Sequence, residues 1–313
     1  MAGSVVARVT LGAALAAGFA AYALAAPAGD AKIEATSFSA GHGLTGAFAE
    51  CPAGSRAVGG GVLELEAGVV HVGGSGPLDG SGAGTAINPA DAVANTKDGD
   101  VAKRWYVGVS NDSSVGIATK ALALCSAGSD ATIEATPFSL EGQSTGGASA
   151  KCPAGKRAVG GGVIQLSWPD NRVLASAPLD ASGTMANTID GDVATQWYAA
   201  IRNLPAHRVD FKVFALCSAD SRATIEATQS SAEGGGTGHA FAKCPPTKRA
   251  LGGGIIESGR LGYLRVLASG PLDATGVAAN TEDGDVAEQW YGAVENRNPE
   301  RVAVKVLAIC EPV

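Results

Sequence analysis

The sequence predicts an all-β protein made of three tandem, disulfide-tied, β-sandwich-like repeats. Three observations predict it. First, one pattern runs through the chain three times, opening at Ile33, Ile133 and Ile225 with Ile-Glu-Ala-Thr and closing with Ala-Leu-Cys or Ala-Ile-Cys. Second, the six cysteines fall two to a copy, as Cys51/Cys125, Cys152/Cys217 and Cys244/Cys310. Third, the closing segments alternate strictly. Val302, Val304, Val306, Ala308 and Cys310 lie on one face, and Arg301, Ala303 and Lys305 on the other. Val209, Phe211, Val213, Ala215 and Cys217 repeat that pattern against Arg208, Asp210 and Lys212. A period of two is a half-buried strand, here ending in a half-cystine.

The elements follow in chain order. Arg8 is the only charged residue before Asp30, and an apolar stretch leads to the small-x-small site Ala23-Leu24-Ala25. Residues 1–25 therefore read as a secretory signal cleaved after Ala25, with Ala28 as the second choice. The Ala-rich stretch is weakly apolar for a membrane span. The repeats are then 31–126, 130–218 and 222–313. Cys152 to Cys244 is 92 residues, whereas Cys51 to Cys152 is 101. The extra length lies between Asp79 and Asn95 and reads as a longer surface loop rich in Gly, Ala and Ser. Trp105, Trp197 and Trp290 each precede their closing cysteine by 20 residues, so Trp and half-cystine belong to one rigid strand pair. About six short strands per copy follow from these segments, and only the signal shows an extended helical stretch.

Gly59–Gly61, Gly160–Gly162 and Gly252–Gly254 form three triplets. No Lys-Ser/Thr follows them, so a phosphate loop is excluded, and a strand bulge or close backbone approach is expected. Each disulfide would tie an early strand to the last one, closing a loop of about 65 residues or more and stabilising a small core by roughly 4 kcal/mol. The alternative architecture is one pseudo-threefold body, a β-prism or trefoil, in which each copy supplies a sheet.

The motif Cys-Pro-Ala-Gly-x-Arg-Ala-Val-Gly-Gly-Gly, followed by a Trp strand with Asn six residues on and Ala-Leu-Cys, resembles repeats of uncharacterised secreted proteins of high-GC Gram-positive bacteria. The resemblance covers Ile33 to Cys310 and implies secretion but no activity. The Cys-Pro-x-Gly motifs are also loosely similar to those of egg vitelline outer-layer proteins, which implies a threefold β-prism.

Function is less legible. Six cysteines in an exported chain favour disulfides over metal or redox chemistry. The formal charge is −7, and −8 without Arg8, which disfavours nucleic acid and anionic membranes as partners. The motif Asn-Thr-x-Asp-Gly-Asp recurs as Asn95, Asp98, Asp100; Asn187, Asp190, Asp192; and Asn280, Asp283, Asp285. Three oxygen ligands so close suit Ca²⁺, but Asp-Gly is also a tight-turn signal, and a turn without metal or other cofactor is the expectation. Asp79, Asp180 and Asp273, after Pro-Leu, read as turn caps or as general acids. The four histidines do not recur, which argues against a triplicated catalytic site. Trp105, Trp197 and Trp290 are expected in the core. Tyr106, Tyr198 and Tyr291, each beside Asn111, Asn203 or Asn296, would then face outward as a ligand surface. Glu34, Glu134 and Glu226 and Arg56, Arg157 and Arg249 are expected to form salt bridges. The best functional expectation is a secreted non-catalytic binding or structural protein with three similar faces for glycan or a protein partner. The alternative is a secreted glycosidase-like hydrolase with carboxylates in one repeat or at a junction.

Overall fold

A computed structural model describes residues 28–65, 70–81, 85, 88–166, 171–257 and 264–313. The expected signal segment lies outside the described residues. Each repeat contributes six strands. In the first they are β1 (Lys32–Ala40), β2 (Gly43–Glu50), β3 (Arg56–Glu64), β4 (Val70–Leu78), β5 (Arg104–Asn111) and β6 (Ile117–Ser126), with one short helix α1 (Ala90–Asn95). The second has β7 (Thr132–Leu140), β8 (Thr145–Lys151), β9 (Arg157–Gln165), β10 (Asn171–Leu179), β11 (Gln196–Asn203) and β12 (Val209–Ser218). The third has β13 (Thr224–Ala232), β14 (Thr237–Lys243), β15 (Lys248–Glu257), β16 (Leu264–Leu272), β17 (Gln289–Asn296) and β18 (Val302–Pro312).

The all-β class and the three-part, disulfide-tied organisation are those the sequence predicts. The packing of the repeats is the shared body rather than a sandwich per repeat. Three six-stranded sheets run β1-β6-β3-β16-β17-β14, β2-β5-β4-β9-β12-β7 and β13-β18-β15-β10-β11-β8. Each repeat opens across two sheets, giving its first, third and sixth strands to one and its second, fourth and fifth to the next. Every sheet is therefore half from one repeat and half from its neighbour. The third repeat closes onto the first. The seams are single residue pairs, Ser269 opposite Val62, Ser75 opposite Val163 and Ser176 opposite Ile255.

The glycine triplets explain the seams. A Cβ on Gly59 would sit 1.9 Å from the Leu251 carbonyl oxygen, one on Gly160 2.2 Å from that of Val58, and one on Gly252 2.4 Å from that of Val159. The strands β3, β9 and β15 thus touch one another backbone to backbone around a pseudo-threefold axis. The last glycine of each triplet meets the seam, with Gly162 leaving only 2.0 Å to the Ser75 carbonyl. The middle glycine makes room for Trp: a Cβ on Gly161 would be 2.5 Å from the Trp197 ring. The expected bulges are present too, as register shifts at Ala57/Gly59 and Ala250/Gly252.

Trp105, Trp197 and Trp290 are at most 2% exposed, as expected for the core. Each indole N–H donates to a seam serine, Ser75 at 2.8 Å, Ser176 at 2.9 Å and Ser269 at 3.0 Å. The three pairs surround an axial cavity of about 20 Å³, the space of roughly one water. The disulfides are Cys51–Cys125, Cys152–Cys217 and Cys244–Cys310, each within one repeat. Because β2 and β6 lie in different sheets, Cys51–Cys125 staples two sheets together.

Trp197→Ala is expected to cost about 3–5 kcal/mol, because it empties a site packed on Gly161 and orphans the Ser176 hydroxyl. Gly161→Ala should be at least as damaging, since its Cβ has no room to relax. Denaturant melts of both variants check this, and a loss below about 1 kcal/mol for either would contradict the packing described.

Candidate functional site

The residues that recur in all three repeats hold the repeats to one another. In each acidic turn the central glycine N–H and the second aspartate's carbonyl dock on the first strand of the next repeat. Gly99 N donates to Ile133 O at 2.9 Å and Ile133 N to Asp100 O at 2.8 Å. Asp98 Oδ1 then accepts from Ala135 N at 2.7 Å. The same clasp recurs as Asp190 on Ala227 N and Asp283 on Ala35 N, both at 2.6 Å. Asp100, Asp192 and Asp285 turn back onto the N–H groups of Lys97, Ile189 and Glu282 at 2.7–2.8 Å. Asn95, Asn187 and Asn280 are exposed. Among the described residues no group of three or more His, Cys, Asp or Glu side chains is placed to hold a metal ion. Asp79, Asp180 and Asp273 cap their own turns, with Oδ1 accepting from the N–H of Ser81, Ser182 and Thr275.

A lysine completes each clasp, and the strand alternation placed two of them, Lys212 and Lys305, on the solvent face. Lys212 Nζ donates to the carbonyls of Val93, Ala94 and Thr96 at 2.7–3.0 Å. Lys305 does so to Met185 and Thr188, and Lys120 to Ala278, Ala279 and Thr281 and to the Glu282 carboxylate. Each ammonium ties off the carbonyls at the end of the preceding repeat's loop. Burial, with Lys97 nearby, holds the Lys212 ammonium below the usual lysine range. The signal lay in the triplication itself, one lysine five residues before each closing cysteine.

Three expectations are corrected. Tyr106 does not face outward; it is 1% exposed, packed 5.5 Å from the Phe48 ring, and burial raises its phenol well above the ordinary value. Tyr198 and Tyr291 are half-buried, the latter 5.1 Å from Phe241. Asn111, Asn203 and Asn296 are buried and bind loops, not a ligand face: Asn203 Nδ2 donates to Leu140, Glu141 and His207 carbonyls, and Asn296 likewise to Ala232, Glu233 and Glu300. Asn111 Nδ2 bridges Ala40 and Val115. Arg56, Arg157 and Arg249 bind the carbonyls of Ala131, Ala223 and Gly29 on the segment leading into the next repeat, not the recurring glutamates. Glu226 pairs with Lys248 instead, at 3.5 Å.

What remains is where the three repeats differ. His71, Arg172 and Arg265 occupy the same position, second in β4, β10 and β16. Opposite them stand Ser110, Arg202 and Glu295. Asp112, Leu204 and Arg297 come directly after β5, β11 and β17. These nine positions share one end of the prism. No protein-family model and no curated protein matches this chain. Its chemistry is therefore read from this geometry.

Between β10–β11 and β16–β17 the end carries an open cleft of about 210 Å³ lined by Arg172, Arg202, Arg265, Arg297 and three leucines. Arg172 and Arg202 stand opposite each other across the strand pair. Arg265 is 5% exposed and uses one nitrogen, Nη1, for both its carboxylates, Asp112 and Glu295, each at 3.3 Å. Its Nε is buried without a hydrogen-bond partner among the described residues. Burial and then the guanidinium groups of Arg172 and Arg297 push Arg265 below the ordinary arginine range, with Glu295 and Asp112 opposing. His71 is buried here, 4.0 Å from Asp112. Glu257, at the end of β15, is 2% exposed, and burial pushes its carboxyl up to about 7.

Two outcomes follow. Lys305→Met is expected to lose about 2–3 kcal/mol by orphaning the Met185 and Thr188 carbonyls, read as a fall in melting temperature of roughly 5–10 °C; an unchanged melt would assign the lysine to the surface. Glu257 is raised in the fold, so the unfolded chain ionises first. Its contribution is constant below the unfolded value near pH 4.3, is lost as pH climbs toward 7, and is flat above. Stability of the protein minus that of Glu257→Gln should therefore fall across that window; a difference independent of pH would refute the shift.

Proposed function

We propose that the protein is an exported, non-catalytic binding protein for extracellular or cell-wall glycan or for a protein partner, acting through the asymmetric end of the prism. One observation carries this reading. The polar side chains that recur, from the acidic turns to the buried asparagines, are engaged in holding the body together, whereas the residues that differ between repeats gather around Arg265. Export is supported by the signal-like N-terminus and by three disulfides, which suit an oxidising compartment. Among the described residues no helix is long and apolar enough to cross a membrane. The repeat motif's resemblance to secreted bacterial proteins points the same way. A hydrolase is disfavoured because Asp79, Asp180 and Asp273 are tied into their own turns.

The test is a glycan array of extracellular and cell-wall saccharides probed with the mature, oxidised chain, with parallel assay of reducing ends released. Retention on at least one glycan class without release is the expected result. Release of sugar would favour the hydrolase, and a blank array would remove glycan as the ligand.

A further inference from the structure

We infer that the axial cavity binds one water molecule held in common by Ser75, Ser176 and Ser269, so that the three repeats share a single polar ligand. This site is independent of whatever the asymmetric end of the prism binds.

A count of hydrogen-bonding groups points to it. Each serine oxygen accepts an indole N–H, from Trp105 at 2.8 Å, Trp197 at 2.9 Å and Trp290 at 3.0 Å. A hydroxyl that accepts on one lone pair still has a proton to give and a second lone pair to fill. Among the described residues no carbonyl or carboxylate accepts those protons, and no two of the three serines are within hydrogen-bond distance of each other. All three line the same cavity. Its volume of about 20 Å³ exceeds the roughly 10–15 Å³ that a water needs, and three polar partners are what a buried water ordinarily has. The site is also preorganised. Each indole is wedged against the middle glycine of a triplet, 2.5 Å from where a Cβ on Gly60, Gly161 or Gly253 would stand, so the serine oxygens are held in place.

The walls decide what the cavity takes. Besides the serines it is lined by glycines, valines, Ile255 and the indoles, with no charged side chain. An ion there would be desolvated without a counter-charge, and the formal charge of −7 disfavours an anion further. Water both accepts and donates. It takes protons from two hydroxyls and gives one to the free lone pair of the third. The site is threefold and water is not, so these roles rotate among the serines. The serines stand on β4, β10 and β16, one in each repeat and one in each sheet. Their energies are therefore coupled although they do not touch.

The experiment uses the mature, oxidised chain with Ser75→Ala, Ser269→Ala and the pair. Loss of a tryptophan's acceptor stays within one repeat and cancels in a double-mutant cycle, whereas loss of a shared water does not. Each single change should raise the unfolding equilibrium constant about tenfold and the pair about thirtyfold, where independent serines give about a hundredfold. Oxygen-17 relaxation dispersion of water should count one long-lived water fewer in the pair than in the parent protein. Chloride titrated at fixed ionic strength should shift the melts of parent and pair equally. A hundredfold effect of the pair, or an unchanged count of long-lived waters, would show that each serine serves its own tryptophan alone. Stabilisation by chloride in the parent that the pair loses would make the ligand an anion. Any of these three results overturns the assignment.

Discussion

The fold depends on three strands approaching one another without side chains between them. Where β3, β9 and β15 meet, carbonyl oxygens occupy the positions that Cβ atoms would take, so glycine is the one residue that allows contact. Everything around the axis follows from that distance. The middle glycine of each triplet accepts a tryptophan ring, the tryptophan turns its N–H to a seam serine, and the serine-bearing strand belongs to the same repeat as the tryptophan but to a different sheet from the triplet. Each repeat is therefore forced open across a corner of the prism. A repeat on its own would hold two half-sheets with open seams, which is why the disulfide within each repeat joins its two halves and the pairing between repeats closes the sheets.

Closing the body leaves a second problem, the exposed edge of the first strand in each sheet. Unpaired edge N–H and C=O groups invite association. The acidic turn of the preceding repeat covers them, adding what amounts to a short seventh strand: two backbone bonds to the isoleucine and an aspartate on the next free N–H. The lysine from the covered repeat reaches back to the carbonyls at the turn's base. Acid and base thus sit at opposite ends of one contact, and the contact runs in one direction around the ring. The last of the three joins residues 283–285 to Ile33 and Ala35, so the N-terminal strand is part of the closure.

Much of this was legible, and what was not has physical causes. The strand alternation, the disulfide pairing and the burial of tryptophan follow from local period and spacing, which a single sequence displays. Lys305 was misjudged because alternation describes which face a residue occupies, not whether another repeat covers that face. The Asn residues were misjudged for a related reason. They were joined to the outward face expected of the tyrosines beside them, whereas a buried amide can organise a loop by donating to carbonyls on both sides of it. The exchange of strands between repeats left no trace in spacing, since the same spacings serve a sandwich or a prism. The glycine triplets carried the clue, because three identical close approaches in three separate sandwiches would have no partners to approach.

Triplication also says where chemistry is to be sought. A residue kept in all three repeats is under the same geometric demand three times over, and here those demands are met by contacts inside the body. A residue that differs at equivalent positions is released from that demand, because symmetry no longer prescribes it. His71, Arg172 and Arg265 share one position; Asp112, Leu204 and Arg297 share another. One repeat carries histidine and aspartate, one arginine and leucine, and one two arginines. Two arginines face each other on β10–β11 while Arg265 is held by acids from two different repeats. The buried Arg265, held by acids from two different repeats, is the clearest feature of this end that the symmetry does not prescribe.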